Sequence, residues 1–466
     1  MRSQINIGPG ARAAGLRVQS KLQQAGKLPS LLCALAICSS AFISSNAVAD
    51  ALVLMNVTVH TGSGPVITNG YVMIENGKIK AVGPGNEKPP IDEAPKLDLK
   101  GLHLYPGMVA LDTALGLSEI GAVRSTRDET EVGDFIPDVE SWIAVNPSSE
   151  IIPVVRANGI AYIEPAPQGA MVPGQSSVVA LDGWTTEEMV FKKQAALHVV
   201  WPEMELDLTP KDKFSGDKSK WKSVEDQAKE RDKKIRTLQD FFSEARAYAK
   251  AKAADKSATT LQFIPAWEAM IPYVNGELPV MIHANELRQI THSIKWAQTN
   301  DLKAVIVGGR DAVLATNELV AAKMAVVYEN VYTPRYRDSE AYDIHFKTPS
   351  LLQKAGIKIA ISMGPETFDG PLTKNLPYQA AQAIAFGLPE EEALKSITLY
   401  PAQLMGVGDK IGSIEAGKEA TFFTMNGSVF DMRAQVKHMW IAGKELSLEN
   451  RHTRLYEKYK GRPKAK

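Results

Sequence analysis

The sequence predicts an α/β protein whose larger part is a (β/α)8 barrel of the TIM type, joined to a small β-sandwich built from both chain ends. Three observations carry this expectation. Eight short apolar runs, several followed by helix-like segments, alternate through the middle of the chain. Hairpin-like runs parted by turn residues precede them, and a similar pair returns near the end. The 466 residues leave room for one barrel of about 250 residues or more and a smaller unit.

Taken in order, the first element is not part of the fold. Residues 1–49 hold five basic side chains (Arg2, Arg12, Arg17, Lys21 and Lys27) and no acidic one. An apolar run at 31–37 follows, and Ala47-Val48-Ala49 then supplies a small-x-small pattern before Asp50. Together these read as an export signal cleaved at Asp50, which implies an exported, periplasmic protein. A membrane anchor is the alternative, disfavoured because serines interrupt a run much shorter than the roughly 20 apolar residues of a span. Both cysteines, Cys33 and Cys38, lie in this segment, so the mature chain would have no disulfide, thiolate metal site or cysteine nucleophile. The remainder carries 48 basic residues against 53 acidic, which gives no basic surface and argues against nucleic acid as a partner.

The small domain begins at 50–106. Its runs at 51–59, 70–75 and 78–82 are parted by Gly62 to Pro65 and by Asn76-Gly77, a strong hairpin signal. Its second part, 409–448, carries runs at 420–425 and 436–441, and a tail of 449–466 follows. Between them, 107–408 should form the barrel. Its strands are expected at 108–112, 159–163, 177–181, 197–201, 280–283, 304–307, 325–328 and 358–362. Helices are expected at 286–299, 311–323 and 349–355. A charged insertion near 210–255 carries one apolar stripe (Val224, Ala228, Ile235, Leu238, Phe242, Ala245, Ala249), which fits a surface helix laid on the barrel. Docking of a partner by this helix stays open.

Three segments resemble one known family. Residues 104–119, LYPGMVALDTALGLSE, are similar to the PGLIDxHxHLG motif of the amidohydrolase superfamily. Residues 411–420, IGSIEAGKEA, resemble its GSIxxGKxAD signature, and 393–406, ALKSITLYPAQLMG, the helix before it. The likeness is to the imidazolonepropionase-like branch and spans nearly all of the mature chain. It implies a hydrolase of carbon–nitrogen bonds other than peptide bonds, with metal ligands at the C-terminal ends of barrel strands.

Carried over residue by residue, the resemblance implies a depleted ligand set. On the first strand Ala110, Asp112 and Ala114 stand where the family has Asp, His and His. On the fourth, where a lysine or glutamate is implied, the candidates are His198 and Trp201; on the fifth, His283 in PVMIHA matches. The sixth offers only Val307-Gly308-Gly309-Arg310. Near the end of the eighth, Glu366 takes the place of the implied catalytic aspartate.

A hydrolytic zinc ion needs three protein ligands and an open position. Asp112, His198 and His283 are the three that would hold one divalent metal, zinc by expectation, with Asp112 and Glu366 as catalytic candidates. Both histidines also admit an ordinary packing role, and without the metal no cofactor is expected. Glu119, Arg124 and Arg310 are candidate binding residues: the first two lie in a charged loop that includes Arg127, Asp128 and Glu129, the third after a glycine pair whose amides would suit an anion. A solvated loop and plain turn chemistry are the alternatives. The expected partner is a small molecule in the barrel mouth, with homo-oligomerisation left open. A non-catalytic barrel that binds a small molecule or a partner protein is the second functional expectation.

Overall fold

A computed structural model describes residues 51–91, 93–254 and 262–463. The expected export signal, 1–49, lies outside the described residues. No described helix is long and apolar enough to cross a membrane.

Eight strands form the barrel sheet in chain order: Met108–Thr113, Ile160–Pro165, Gly174–Ala180, Val190–Val200, Val280–Ala284, Ala304–Gly308, Ala325–Glu329 and Ile359–Ser362. Apart from the first half of the fourth, they are largely buried and rich in Val, Ile and Ala, as expected of strands covered on both faces. Seven run parallel. The third is antiparallel to both neighbours, against the expectation of a uniformly parallel barrel. The reason is connection length: only residues 166–173 and 181–189 join it to the second and fourth strands. A parallel crossover needs a dozen residues or more.

The barrel nearly closes between its last and first strands. Ser362 Oγ donates to the Leu111 carbonyl oxygen at 2.7 Å and accepts the Gly364 N–H at 3.0 Å, and Thr113 bridges to Gly364. Ser362→Ala should therefore cost about 1–2 kcal/mol, because it leaves a buried amide and carbonyl short of a partner. A lowered urea midpoint with an unchanged slope is the expected readout; an unchanged midpoint would show that closure does not use this hydroxyl.

Helices Leu287–Thr299, Thr316–Ala322 and Ile344–Lys354 follow the fifth, sixth and seventh strands. The last starts five residues earlier than its sequence suggests, with Pro349 inside it rather than at its first turn. The insertion is one helix, Val224–Ala254. Leu238, Phe242, Ala245 and Ala249 of its predicted stripe are buried, while Val224 at its start is exposed. From Ile235 onward the stripe meets the core, with Phe242 set edge-on against Trp296.

The chain ends form one eight-stranded sheet. Its path runs from Lys444–Glu445 through Val436–Ile441, Phe422–Met425, His103–Pro106, Ala51–Val59 and Ile67–Glu75 to Lys78–Pro84. Lys96–Asp98 branches off Ala51–Val59. Alternation sends Leu54, Val72 and Ile74 into one apolar cluster and Val53, Tyr71 and Met73 into another. The unit expected as a sandwich is thus hydrogen-bonded as a single branched sheet with apolar residues on both faces.

Candidate metal centre

The first strand ends in a bulge. Its pairing with the second strand slips between Ala110 and Thr113, and Asp112 takes a left-handed backbone conformation with φ of 52°. Asp is among the residues that tolerate this region, and a bulge re-aims the side chain that it carries. A local anchor holds it: the Asp112 N–H donates to Glu164 Oε2 at 2.6 Å. Glu164, in the second strand, is wholly buried.

The same glutamate reaches the fourth strand. Its Oε1 lies 2.8 Å from Nε2 of the buried His198. A carboxylate there selects the tautomer with hydrogen on Nε2 and leaves Nδ1 as the lone-pair nitrogen of the neutral ring. Nδ1 in turn lies 2.8 Å from Nε2 of His283, in the fifth strand. Without an ion, His283 donates across that contact. Burial, then the neighbouring His198 ring, pull the His283 imidazole well below its ordinary pKa, so it is neutral at neutral pH.

One ligand atom each from Asp112, His198 and His283 lies within 4.8 Å of the other two. The sequence placed these three on separate strands; the barrel brings them together. Asp112 and His198 are sealed from solvent, while His283 keeps partial exposure. Neither carboxyl oxygen of Asp112 has a hydrogen-bond partner among the described residues. Burial raises its pKa most, followed by the charge and contact of Glu329, and then by Glu164. Glu329, half-buried at the end of the seventh strand, is raised by burial and by the nearby charges of Glu366 and Asp369. Facing carboxyls in this setting need a proton or a cation between them.

The donor set fits a divalent ion on three counts. Three ligand atoms converge, the carboxylate among them accepts no hydrogen bond from the described residues, and a carboxylate stands behind one imidazole to orient it.

The remaining candidates lie elsewhere. Glu366 is exposed on the loop after the eighth strand and reaches the centre only through its charge on Glu329. The strand position itself ends in Ser362, whose hydroxyl is taken up by backbone. Glu119 accepts from Asn146 Nδ2 at 3.1 Å and Ser149 Oγ at 3.0 Å, which ties down its own loop. Arg124 is exposed and donates to the Arg127 carbonyl oxygen at 2.9 Å. Arg310 stacks on Tyr336 at 4.0 Å beside Asp311. The glycine pair before it offers no free anion cradle, because the Gly309 and Arg310 amides donate to Ala284 O and Asn285 Oδ1. Gly308 makes room for that Asn285, whose Oδ1 would lie 2.5 Å from an added Cβ. Trp201 packs against Trp296 in the core.

Sequence reasoning missed Glu164 and Glu329. Both carried one local signal: a lone carboxylate near the C-terminal end of a buried, apolar strand, which is costly unless it is used.

Comparison with known proteins places this geometry in context. Residues 196–446 match the model of the amidohydrolase family. The chain is 22% identical over 427 residues to amidohydrolase tasK of Hapsidospora irregularis, covering 80% of this chain and 39% of that one. It thus spans about two fifths of the length of that relative. It is 23% identical over 378 residues to the imidazolonepropionase of Brucella anthropi, covering 76% and 86% of the two chains. Among solved structures, an amidohydrolase from Thermotoga maritima matches with a TM-score of 0.72 and 27% identity over 85% of this chain and 99% of that one.

Proposed function

Since the chain belongs to the amidohydrolase family, we propose that it is an exported hydrolase of non-peptide carbon–nitrogen bonds, built around one divalent metal ion. The carrying observation is the convergence of Asp112, His198 and His283 within 4.8 Å. Two imidazoles and a carboxylate suit zinc, and three protein ligands leave a position open. When bound, such an ion supplies Lewis acidity and lowers the pKa of a water.

The chain's own residues supply the rest. Glu164 holds His198 in the tautomer whose Nδ1 lone pair faces the centre, and its hydrogen bond to the Asp112 amide keeps that carboxylate aimed inward. Burial raises the pKa of Glu329 beside Asp112, which makes Glu329 the group suited to carry a proton when Asp112 is ionised as a ligand. Glu329 keeps partial exposure at the C-terminal end of its strand, which suits it to pass a proton to a leaving nitrogen. The basic, apolar start of the chain supports export to a periplasm.

A second reading, a barrel that binds a small molecule or partner without turning it over, is favoured by the full burial of Asp112 and His198. Elemental analysis after zinc loading and gel filtration tests the first. About one equivalent per chain is expected, falling below about a tenth in Asp112→Ala and His283→Ala. Substoichiometric metal that both variants leave unchanged would sink the metal centre. One equivalent of zinc, with no amine released from a panel of N-acyl amines and cyclic amides, would favour the binding barrel.

A further inference from the structure

Residues 451–466 differ in charge from the body that they join. They hold seven of the chain's 53 lysines and arginines but one of its 53 aspartates and glutamates. A basic run alone would be a solvated face. Here its first part is a helix, Arg451–Tyr459, started by a reciprocal cap. The Asn450 side chain accepts the His452 and Thr453 N–H groups, and Thr453 Oγ1 accepts the Asn450 N–H at 2.9 Å.

Spacings of three and four residues place His452, Leu455, Tyr456 and Tyr459 on one face of this helix and Arg451, Arg454 and Lys458 on the next. An amphipathic helix ordinarily buries its apolar stripe against a core. This one buries no side chain, and Tyr456 and Tyr459 are 67% and 52% exposed. Arg454 reaches Glu150 of the body at 2.7 Å, but both partners are exposed, so the pair holds the helix weakly. Glu150, Arg451, Arg454 and Leu455 line a cavity of about 310 Å³ there, so the helix does not pack closely on what lies beneath it.

The pairing of the two faces decides what the helix meets. A nucleic acid or an acidic protein would take up the cations and leave Leu455, Tyr456 and Tyr459 in water. A bilayer surface takes both: anionic headgroups meet the basic face, while tyrosine rings settle at headgroup level with leucine below them. We propose that residues 451–462 hold the protein reversibly on an anionic phospholipid surface. The apolar face is short, so the charges supply most of the attraction and salt weakens it. The rest of the chain past residue 49 has more acidic than basic residues, so the same surface repels it and the helix makes the contact. None of these residues belongs to the metal centre, so the inference stands whether or not that centre is catalytic.

Cosedimentation with vesicles tests it, using the chain from Asp50 onward, which holds every described element and lacks the basic, apolar start. Vesicles of equal parts phosphatidylglycerol and phosphatidylcholine should carry the protein down, and phosphatidylcholine alone should not. Affinity should fall at least about tenfold when Lys458→Gln, Lys460→Gln and Arg462→Gln are combined, and about threefold or more in Tyr456→Ala with Tyr459→Ala. All five side chains are exposed, so melting temperatures should not change. Lys233→Gln with Lys234→Gln, an exposed pair on the insertion helix, should leave binding as it was. No sedimentation with either vesicle, equal binding to both, an equal loss from the Lys233 and Lys234 changes, or affinity unaltered by either variant of the 451–462 stretch would overturn the proposal. Tighter binding to polyglutamate or duplex DNA than to the anionic vesicles would also overturn it, by assigning the helix to an acidic macromolecule.

Discussion

Glu164→Ala should lower stability by about 3–5 kcal/mol and abolish metal retention. The glutamate occupies both its oxygens, one with the Asp112 amide and one with His198 Nε2, and all three groups are buried. Hydrogen bonds to a charged group contribute about 1.5–3 kcal/mol each, and the amide would be left without a partner. The left-handed backbone at Asp112 would also lose its anchor. Relief of repulsion between the Asp112 and Glu164 carboxylates offsets part of this, so the lower end of the range is expected in metal-free protein.

Glu164→Gln separates position from packing. An amide fits the same space, and its oxygen can still accept the Asp112 N–H. Its NH2 must then donate to His198 Nε2, which moves the ring hydrogen to Nδ1 and removes the lone pair facing the centre. Stability should therefore change by no more than about 1–2 kcal/mol while zinc affinity falls 10–100-fold. Denaturant titration beside zinc competition reads both. A Gln variant with parental zinc affinity would show that Glu164 merely fills space.

Relative to Asp112→Asn, metal-free protein should lose stability as pH rises from about 4 through the raised pKa of Asp112. Asp112 has a pKa well above its ordinary value in the folded chain, so the folded state holds its proton more tightly than the unfolded chain does. The Asp112 contribution is then full below about pH 4 and is lost as pH climbs toward the raised value, by about 1.4 kcal/mol per unit of displacement. His283 acts in the opposite sense. Its depressed pKa makes the folded state lose stability as pH falls below about 6.5, so above that pH its contribution is constant. Because Asp112→Asn leaves His283 in place, the difference between the two proteins isolates Asp112. Melting temperatures of chelator-treated parent and Asp112→Asn from about pH 4 to about pH 9 are the measurement, and zinc should flatten the parent's slope by holding Asp112 ionised. Parallel slopes in the two proteins would exclude Asp112 as the titrating group.

The barrel was legible because its cues are local. Each of the eight apolar runs overlaps an observed strand, and His283 lies on the strand where PVMIHA placed it. The direction of the third strand was not legible from an apolar run, which reads alike in both senses; the short connections on each side were the available clue. Pro349 misled because proline commonly opens a helix and here sits within one. The site was half legible. Asp112 and His283 followed from motif positions, and His198 from its strand. Glu164 and Glu329 fell outside the positions that the resemblance names, though both acidic residues stand near the ends of buried strands where they must be paired or used.

By itself the sequence determined which segments become the barrel strands and that the two chain ends join in one β unit, since periodicity and turn chemistry act over a few residues, while the strand His103–Pro106 that links those ends was not read from it. Only the tertiary structure decided that Asp112, His198 and His283 meet, that Glu164 bridges two of them, and that Glu366 stays out on its loop. The physical reason is distance along the chain. Glu164 is 52 residues from Asp112 and His198 is 85 from His283, and a bulge at Asp112 turns its carboxylate toward them. Such convergence depends on closure and register, which no local pattern records.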